Sequence, residues 1–279
     1  MAIEQSNPLA KHFRQPGIYL NLPSAGKFYP AGALDMPESG QIPVYPMTVK
    51  DEIVLKTPDA LMNGEGTVNT IQSCVPNIKN AWKVPACDLD SILISIRIAS
   101  YGEELTLTSK CEHCNESNEH VIDLKVLLDS MSPPVFDELE VSHIVVKYKP
   151  QSYETINNTN LANFQTQSLL GTIMRSDLDD AEKTKRFNKL IPEITNLNVS
   201  VIADSIESIT IKEDDTVVTS KKHITEFLNN CDKKLYDHLK AHVDQLAQHN
   251  KIKPFDVDCG ECNKSYKTNL NFEFSDFFG

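Results

Sequence analysis

Apolar positions recur at two different periods along this chain, and the change of period marks the change of element. Leu105-Thr106-Leu107-Thr108 and Val121-Ile122-Asp123-Leu124 alternate in steps of two, the spacing of half-buried strands. The same step returns in Phe255-Asp256-Val257 and Leu270-Asn271-Phe272-Glu273-Phe274. Val141–Tyr148 reads as one more strand, ended by Lys149-Pro150. Ile209–Ile211 and Thr216–Val218 read as a hairpin across Glu213-Asp214-Asp215. Elsewhere the step is three or four. Asp88–Tyr101 puts Leu89, Ile92, Leu93, Ile96 and Ala99 on one face, with Asp88 as cap and Gly102 past the end. Thr48 caps Val49–Lys56, with Asp51 completing a capping box. A short helix is expected from Thr57-Pro58-Asp59 to Asn63-Gly64, and another over Thr67–Cys74, closed by Pro76. Tyr153–Met174 reads as a polar helix with a thin apolar stripe, and Asp177–Ile191 as a helix with a solvated face whose acids precede its bases. Ser220 is expected to cap one long helix to about Asn250, carrying Ile224, Leu228, Leu235, Leu239, Val243 and Leu246 on one stripe.

Residues 1–47 follow neither period. Prolines 8, 16, 23, 30, 37, 43 and 46 recur with glycines 17, 26, 32 and 40, which excludes any long regular element. Phe13, Ile18, Tyr19, Leu20, Leu22, Phe28, Tyr29 and Leu34 supply apolar anchors that a solvated tail would lack. Such an arm drapes over its own core or docks on a partner. Ser24-Ala25-Gly26-Lys27 lacks the spacing of a phosphate-cradling loop.

Cysteine changes the picture most. Cys111-Glu112-His113-Cys114 and Cys259-Gly260-Glu261-Cys262 are both Cys-x-x-Cys pairs, and both continue Asn-x-Ser. Each sits between segments of strand period. Two such pairs complete the four-sulfur shell that structural Zn²⁺ prefers, so Cys111, Cys114, Cys259 and Cys262 are the expected ligands of one zinc ribbon. The 144 residues separating Cys114 from Cys259 far exceed the ~15–20 of a compact four-cysteine site. The C-terminus must therefore return to mid-chain to close the ribbon. A redox or disulfide role is the competing reading, but neither pair opens a helix in a βαβ pattern. Four thiolates leave no open position for a catalytic water. His113 and His120 are read as loop and strand positions outside the shell. His238 and His242, four apart on the expected long helix, lack a His-Glu-x-x-His arrangement and are read as helix-surface residues. Cys74, Cys87 and Cys231 have no spaced partner and are read as small hydrophobes.

The resulting expectation is an α+β fold with a helical N-terminal part packed on a zinc ribbon that the C-terminus closes. Its parts are an extended arm (1–47), a helical segment (48–102), the ribbon module (103–141 with 251–279) and a mainly helical insertion (142–250). No apolar run approaches the ~18 residues of a membrane span. Met1-Ala2-Ile3-Glu4 is unlike a signal peptide, so a soluble cytoplasmic protein is expected. The formal charge of −12 opposes sequence-independent nucleic-acid binding. Glu112, Glu116, Glu119, Asp256, Asp258 and Glu261 around the two cysteine loops do so locally. No nucleophile motif or paired-acid site is legible, so no catalysis and no small-molecule substrate are expected.

Several strings have no generic structural reason to occur together. They are Leu22-Pro23-Ser24-Ala25-Gly26-Lys27-Phe28-Tyr29-Pro30, Ile42-Pro43-Val44-Tyr45-Pro46-Met47-Thr48-Val49-Lys50-Asp51-Glu52, Thr57-Pro58-Asp59-Ala60-Leu61 and Ser73-Cys74-Val75-Pro76-Asn77-Ile78. Over roughly residues 17–130 the chain resembles baseplate proteins of T4-like contractile-tailed bacteriophages, those of the hub and hub assembly in particular. The resemblance implies a non-enzymatic baseplate hub subunit or assembly factor whose partners are other hub or tail proteins. It implies the infected bacterial cytoplasm during assembly, and the tail baseplate of the virion. A zinc-ribbon nucleic-acid-binding regulator of phage origin is the competing function, and an enzyme with a hidden site in 142–250 is a third.

Overall fold

The computed structural model describes residues 8–9, 12–57, 63–176, 178–269 and 277–278, with only the backbone at Asp180 and Glu193. The short helix expected across Pro58–Met62 and the strand expected at Leu270–Phe274 lie outside the described residues.

The proline-rich segment drapes over its own core. β1 (Ile18–Leu20) and β2 (Ile42–Val44) pair antiparallel, Leu20 opposite Ile42. The pairing turns Leu20, Ile42 and Val44 inward, each no more than 1% exposed. Gly17 lies against α3 (Ala86–Tyr101) so closely that a side-chain carbon there would sit 2.9 Å from the Ala99 backbone. Between the strands, Ser24 reaches Asp88, and Leu34 and Asp35 meet residues 77–78.

Thr48 and Asp51 form the expected capping box at α1 (Val49–Leu55). α2 spans Glu65–Cys74. The start of α3 differs from expectation. Pro85 takes the cap position, where its missing N–H costs nothing. Asp88 falls inside the first turn, fully buried, and accepts from Ser24 N (2.8 Å) and Ser24 Oγ (2.5 Å) instead of capping. Trp82, in a short 3-10 turn over Ala81–Lys83, stacks on Tyr153 with ring centroids 5.7 Å apart. These elements, with Leu124, Leu127, Tyr153, Phe277 and Phe278, share one hydrophobic core.

β3 (Glu104–Lys110) and β4 (Ser117–Asp123) form a long hairpin, followed by α4 (Leu124–Asp129), which Asp123 caps. The single strand expected at 141–148 is two strands. β5 (Leu139–Val141) and β6 (Ile144–Tyr148) fold back across Ser142-His143, with Ser142 at φ 53°. A turn that uses serine where glycine or asparagine is usual leaves little trace in sequence. β6 continues onto β7 (Ile206–Ile211) and β8 (Val217–Val218), giving the antiparallel order β5-β6-β7-β8.

α5 (Tyr153–Arg175) and α6 (Asp180–Ser205) form a helical hairpin. The long helix expected after Ser220 is interrupted at Cys231-Asp232. α7 (Lys221–Asn230) ends there, and Asp232 caps α8 (Lys233–His249) by accepting Leu235 N at 3.0 Å. Ile224, Leu228, Leu235, Leu239, Val243 and Leu246 still converge with β6, β7 and the end of α6 in a second core. That common core is why the stripe reads as continuous. Asn250 binds Val135 N and Val135 O, both at 3.1 Å, so the chain's exit to and return from the second core run side by side. β9 (Phe255–Asp258) then pairs antiparallel with β10 (Ser265–Thr268). The fold is α+β, with small antiparallel sheets among the helices.

Candidate metal centre

Both Cys-x-x-Cys loops connect the strands of a hairpin, β3–β4 and β9–β10, and their backbones match bond for bond. Cys111 N donates to Glu116 O at 2.9 Å and Cys259 N to Lys264 O at 3.0 Å. Asn115 N donates to Cys111 O at 2.9 Å and Asn263 N to Cys259 O at 3.0 Å. Asn115 (φ 62°) and Asn263 (φ 53°) occupy the left-handed region. Asparagine tolerates that region better than any residue but glycine, which accounts for the shared Asn after each pair.

The four sulfurs converge. Cys111 Sγ lies 3.7 Å from Cys262 Sγ, and Cys114 Sγ lies 3.6 Å from Cys259 Sγ. All four fall within 4.8 Å of one another, and no other described histidine, cysteine or acid joins the group. A tetrahedron of Zn–S bonds of about 2.3 Å has edges of about 3.8 Å, so the donor set and spacing fit such an ion. Cys111 and Cys259 are buried, while Cys114 and Cys262 are half-buried.

Four thiols this close cannot ionise independently. Backbone N–H groups of Cys262 and Glu261 draw the Cys259 thiol down to about 6. The N–H of Glu116 pulls Cys114 the same way, but burial and the neighbouring thiols outweigh it and push Cys114 up to about 12. A divalent cation removes this conflict, because it favours thiolate at every sulfur.

Contacts between the hairpins hold the loops in register. Tyr266, 5% exposed, places its hydroxyl 2.7 Å from Ser109 Oγ and 2.9 Å from His120 Nε2. Gly260 N donates to Asn118 Oδ1 at 2.9 Å. Sequence reasoning missed Ser109, Asn118 and Tyr266, because nothing in a one-dimensional pattern says which residue meets which across 144 intervening positions. His113 is exposed and touches Ser265 O at 3.3 Å. His120 is a strap between the hairpins more than a free strand position.

The remaining sequence candidates stay apart from the sulfurs. Burial pushes the Cys74 and Cys87 thiols up to about 12, leaving both unreactive. His242 packs its ring 4.8 Å from that of Tyr148, and among the described residues His238 and His242 join no metal-binding group. Glu112, Glu116, Glu119, Asp256, Asp258 and Glu261 are all exposed around the clustered cysteines and would repel a phosphate backbone. Among the described residues no helix is long and apolar enough to cross a membrane.

No curated protein and no solved structure matches the chain. A family model described as T4 bacteriophage base plate protein matches residues 18–279, nearly the whole length. The match spans the arm, both cores and both cysteine hairpins, well beyond the amino-terminal strings that resemble baseplate proteins. The chain belongs to the T4 bacteriophage base plate protein family.

Proposed function

We propose that this chain is a non-enzymatic structural protein of the phage tail baseplate. It acts at the hub, as a subunit or as an assembly factor, through contacts with other tail proteins. The family match over residues 18–279 carries the baseplate role. The absence of any legible nucleophile or acid–base constellation in the sequence supports a binding role over a catalytic one. In this reading the protein works in the host bacterial cytoplasm during assembly. Mass spectrometry of purified particles against infected lysate tests the role. Stoichiometric recovery in particles marks a subunit, recovery only in lysate with other hub proteins marks an assembly factor, and absence from every tail intermediate overturns both.

The second part of the proposal is one structural Zn²⁺ held by Cys111, Cys114, Cys259 and Cys262. When bound, the ion supplies four bonds that join the two hairpins. The protein's own part is to present sulfurs at tetrahedral spacing, with Tyr266 packed among Cys111 and Cys259. Elemental analysis of purified protein should give one zinc per chain, with a four-sulfur shell by X-ray absorption. A Cys259→Ser/Cys262→Ser variant should lose it. Wild-type protein that is folded and free of metal would overturn the assignment.

A further inference from the structure

Two cavities meet where the first core faces the second. One, of about 340 Å³, has walls that are mostly carbon, from Leu89, Phe136, Ile156, Val201, Val243 and Leu246. The other, of about 430 Å³, runs beneath Pro133, Pro134 and the Ile252–Phe255 strand entry. Cys87, Asp90, Asn250 and Lys251 line both, so the two form one cleft with Asp90 on the shared wall.

Asp90 is anomalous there. It is half-buried, and among the described residues no donor hydrogen-bonds its carboxylate and no cation pairs with it; only the field of Lys251 reaches it. Its oxygens are not sealed from water, so within the cleft they are open to a donor supplied by a ligand. Nearby, Tyr148 is 2% exposed and among the described residues its hydroxyl has no hydrogen-bond partner. The carbon-walled part of the cleft, with a carboxylate that no described protein group bonds on its shared wall, is the arrangement of a ligand site.

We propose that this cleft binds an aliphatic primary ammonium group, its alkyl chain against the carbon walls and its cation on the Asp90 carboxylate. The ligand satisfies the carboxylate that the fold leaves bare, and its methylene chain replaces water against the apolar side chains. Lys149, Lys251 and Lys253 line the same cleft, with His249 beside them, and oppose a second cation, so a monoamine is the fitting ligand. Asp244, also on the wall, is already engaged by Lys240. The ammonium comes either from a free amine or from a lysine side chain of a tail partner. The inference stands apart from the metal and from the hub assignment.

The test uses the full chain and three probes, followed by amide and side-chain NMR shifts at Asp90, Tyr148 and Lys251. They are n-butylamine, Nα-acetyl-lysine N-methylamide and the neutral n-butanol. At pH 7.5 at least one amine should bind at least tenfold more tightly than butanol. Binding by the lysine derivative alone assigns the site to a partner side chain; binding by butylamine assigns it to free amines. Asp90→Asn, which keeps the shape and removes a desolvated charge, should fold and lose at least tenfold in amine affinity. Burial lifts the Asp90 carboxyl to about 6, with Lys251 opposing, so amine binding should fade as pH falls through that value. Asp244, His249, Lys149, Lys251 and Lys253 also line the cleft, so the pH dependence belongs to Asp90 only where Asp90→Asn abolishes it. Equal binding of butanol and amines, undiminished binding to Asp90→Asn, or no amine binding would each overturn the proposal.

Discussion

Asp88 and Asp90 leave the same helix two positions apart, and burial raises both carboxyls above their ordinary range. Their surroundings then separate them. Asp88 receives the Ser24 backbone N–H and hydroxyl, both opposing the shift. Ser24→Ala removes the hydroxyl and should cost about 1.5–3 kcal/mol, read as a lower urea midpoint at unchanged slope. Asp90 has no donor, so its sign is opposite to that of a salt-bridged acid. Below the unfolded value of 3.8 both states are protonated and nothing is lost. Above it the unfolded chain ionises first, so stability is lost as pH rises through about 6. Asp90→Asn should therefore gain on the wild type between pH 4.5 and 7.5, measured as the difference in urea midpoints at the two values. A constant difference would show that the carboxyl titrates normally. Sequence alone makes Asp88 a helix cap and leaves Asp90 unremarked. The cap reading fails because a contact from Ser24, sixty-four positions away, decides what Asp88 does.

At the scale of elements, what was legible was local and what was not was long-range or a matter of single dihedrals. The capping box at Thr48, the strands on both sides of the first cysteine loop and before the second, and α3 ending at Gly102 follow from near neighbours, whereas β10 at Ser265–Thr268 is not among the expected strands. The breaks at Ser142-His143 and Cys231-Asp232 do not, since the apolar stripe runs unbroken through the second and alternation runs through the first. Asp232 bears weight only because the helix restarts there. Asp232→Ala should cost about 1 kcal/mol and loosen amide protection in the first turn of α8. The cysteine loops carry the same logic. Asn115 and Asn263 adopt positive φ, where a β-carbon without a local hydrogen-bonding side chain costs about 1–2 kcal/mol. Asn115→Gly should hold zinc as tightly as the wild type in a chelator competition, whereas Asn115→Val should bind more weakly. Equal affinities would mean the backbone there is not set by the metal loop.

At the scale of the molecule, the zinc proposed for the cysteine cluster would act differently on the two cores. The clamp joins residues 111–114 to residues 259–262, and the chain beyond returns Phe277 and Phe278 to the first core at 2% and 3% exposure. Closing a loop of this length restricts the unfolded chain by on the order of 5 kcal/mol in the chain-entropy account, before any Zn–S bonding is counted. The second core contains none of the four cysteines and has its own sheet and helices. Its links to the first include Ala86 N to Gln151 O, with Gln151 in turn donating to Val201 O, and the Phe28–Phe136 edge contact. Stripping the metal with a strong chelator should therefore act on one region before the other. Amide exchange should quicken first across β3, β4, β9 and β10. It should then quicken in the residues that Phe277 and Phe278 cover, while β7 and α8 keep their protection. The ordering follows because the hairpins bury little besides the sulfurs and Tyr266 at their junction. Exchange that accelerates everywhere at once would mean the two cores unfold as a unit, and the clamp would then support the whole chain.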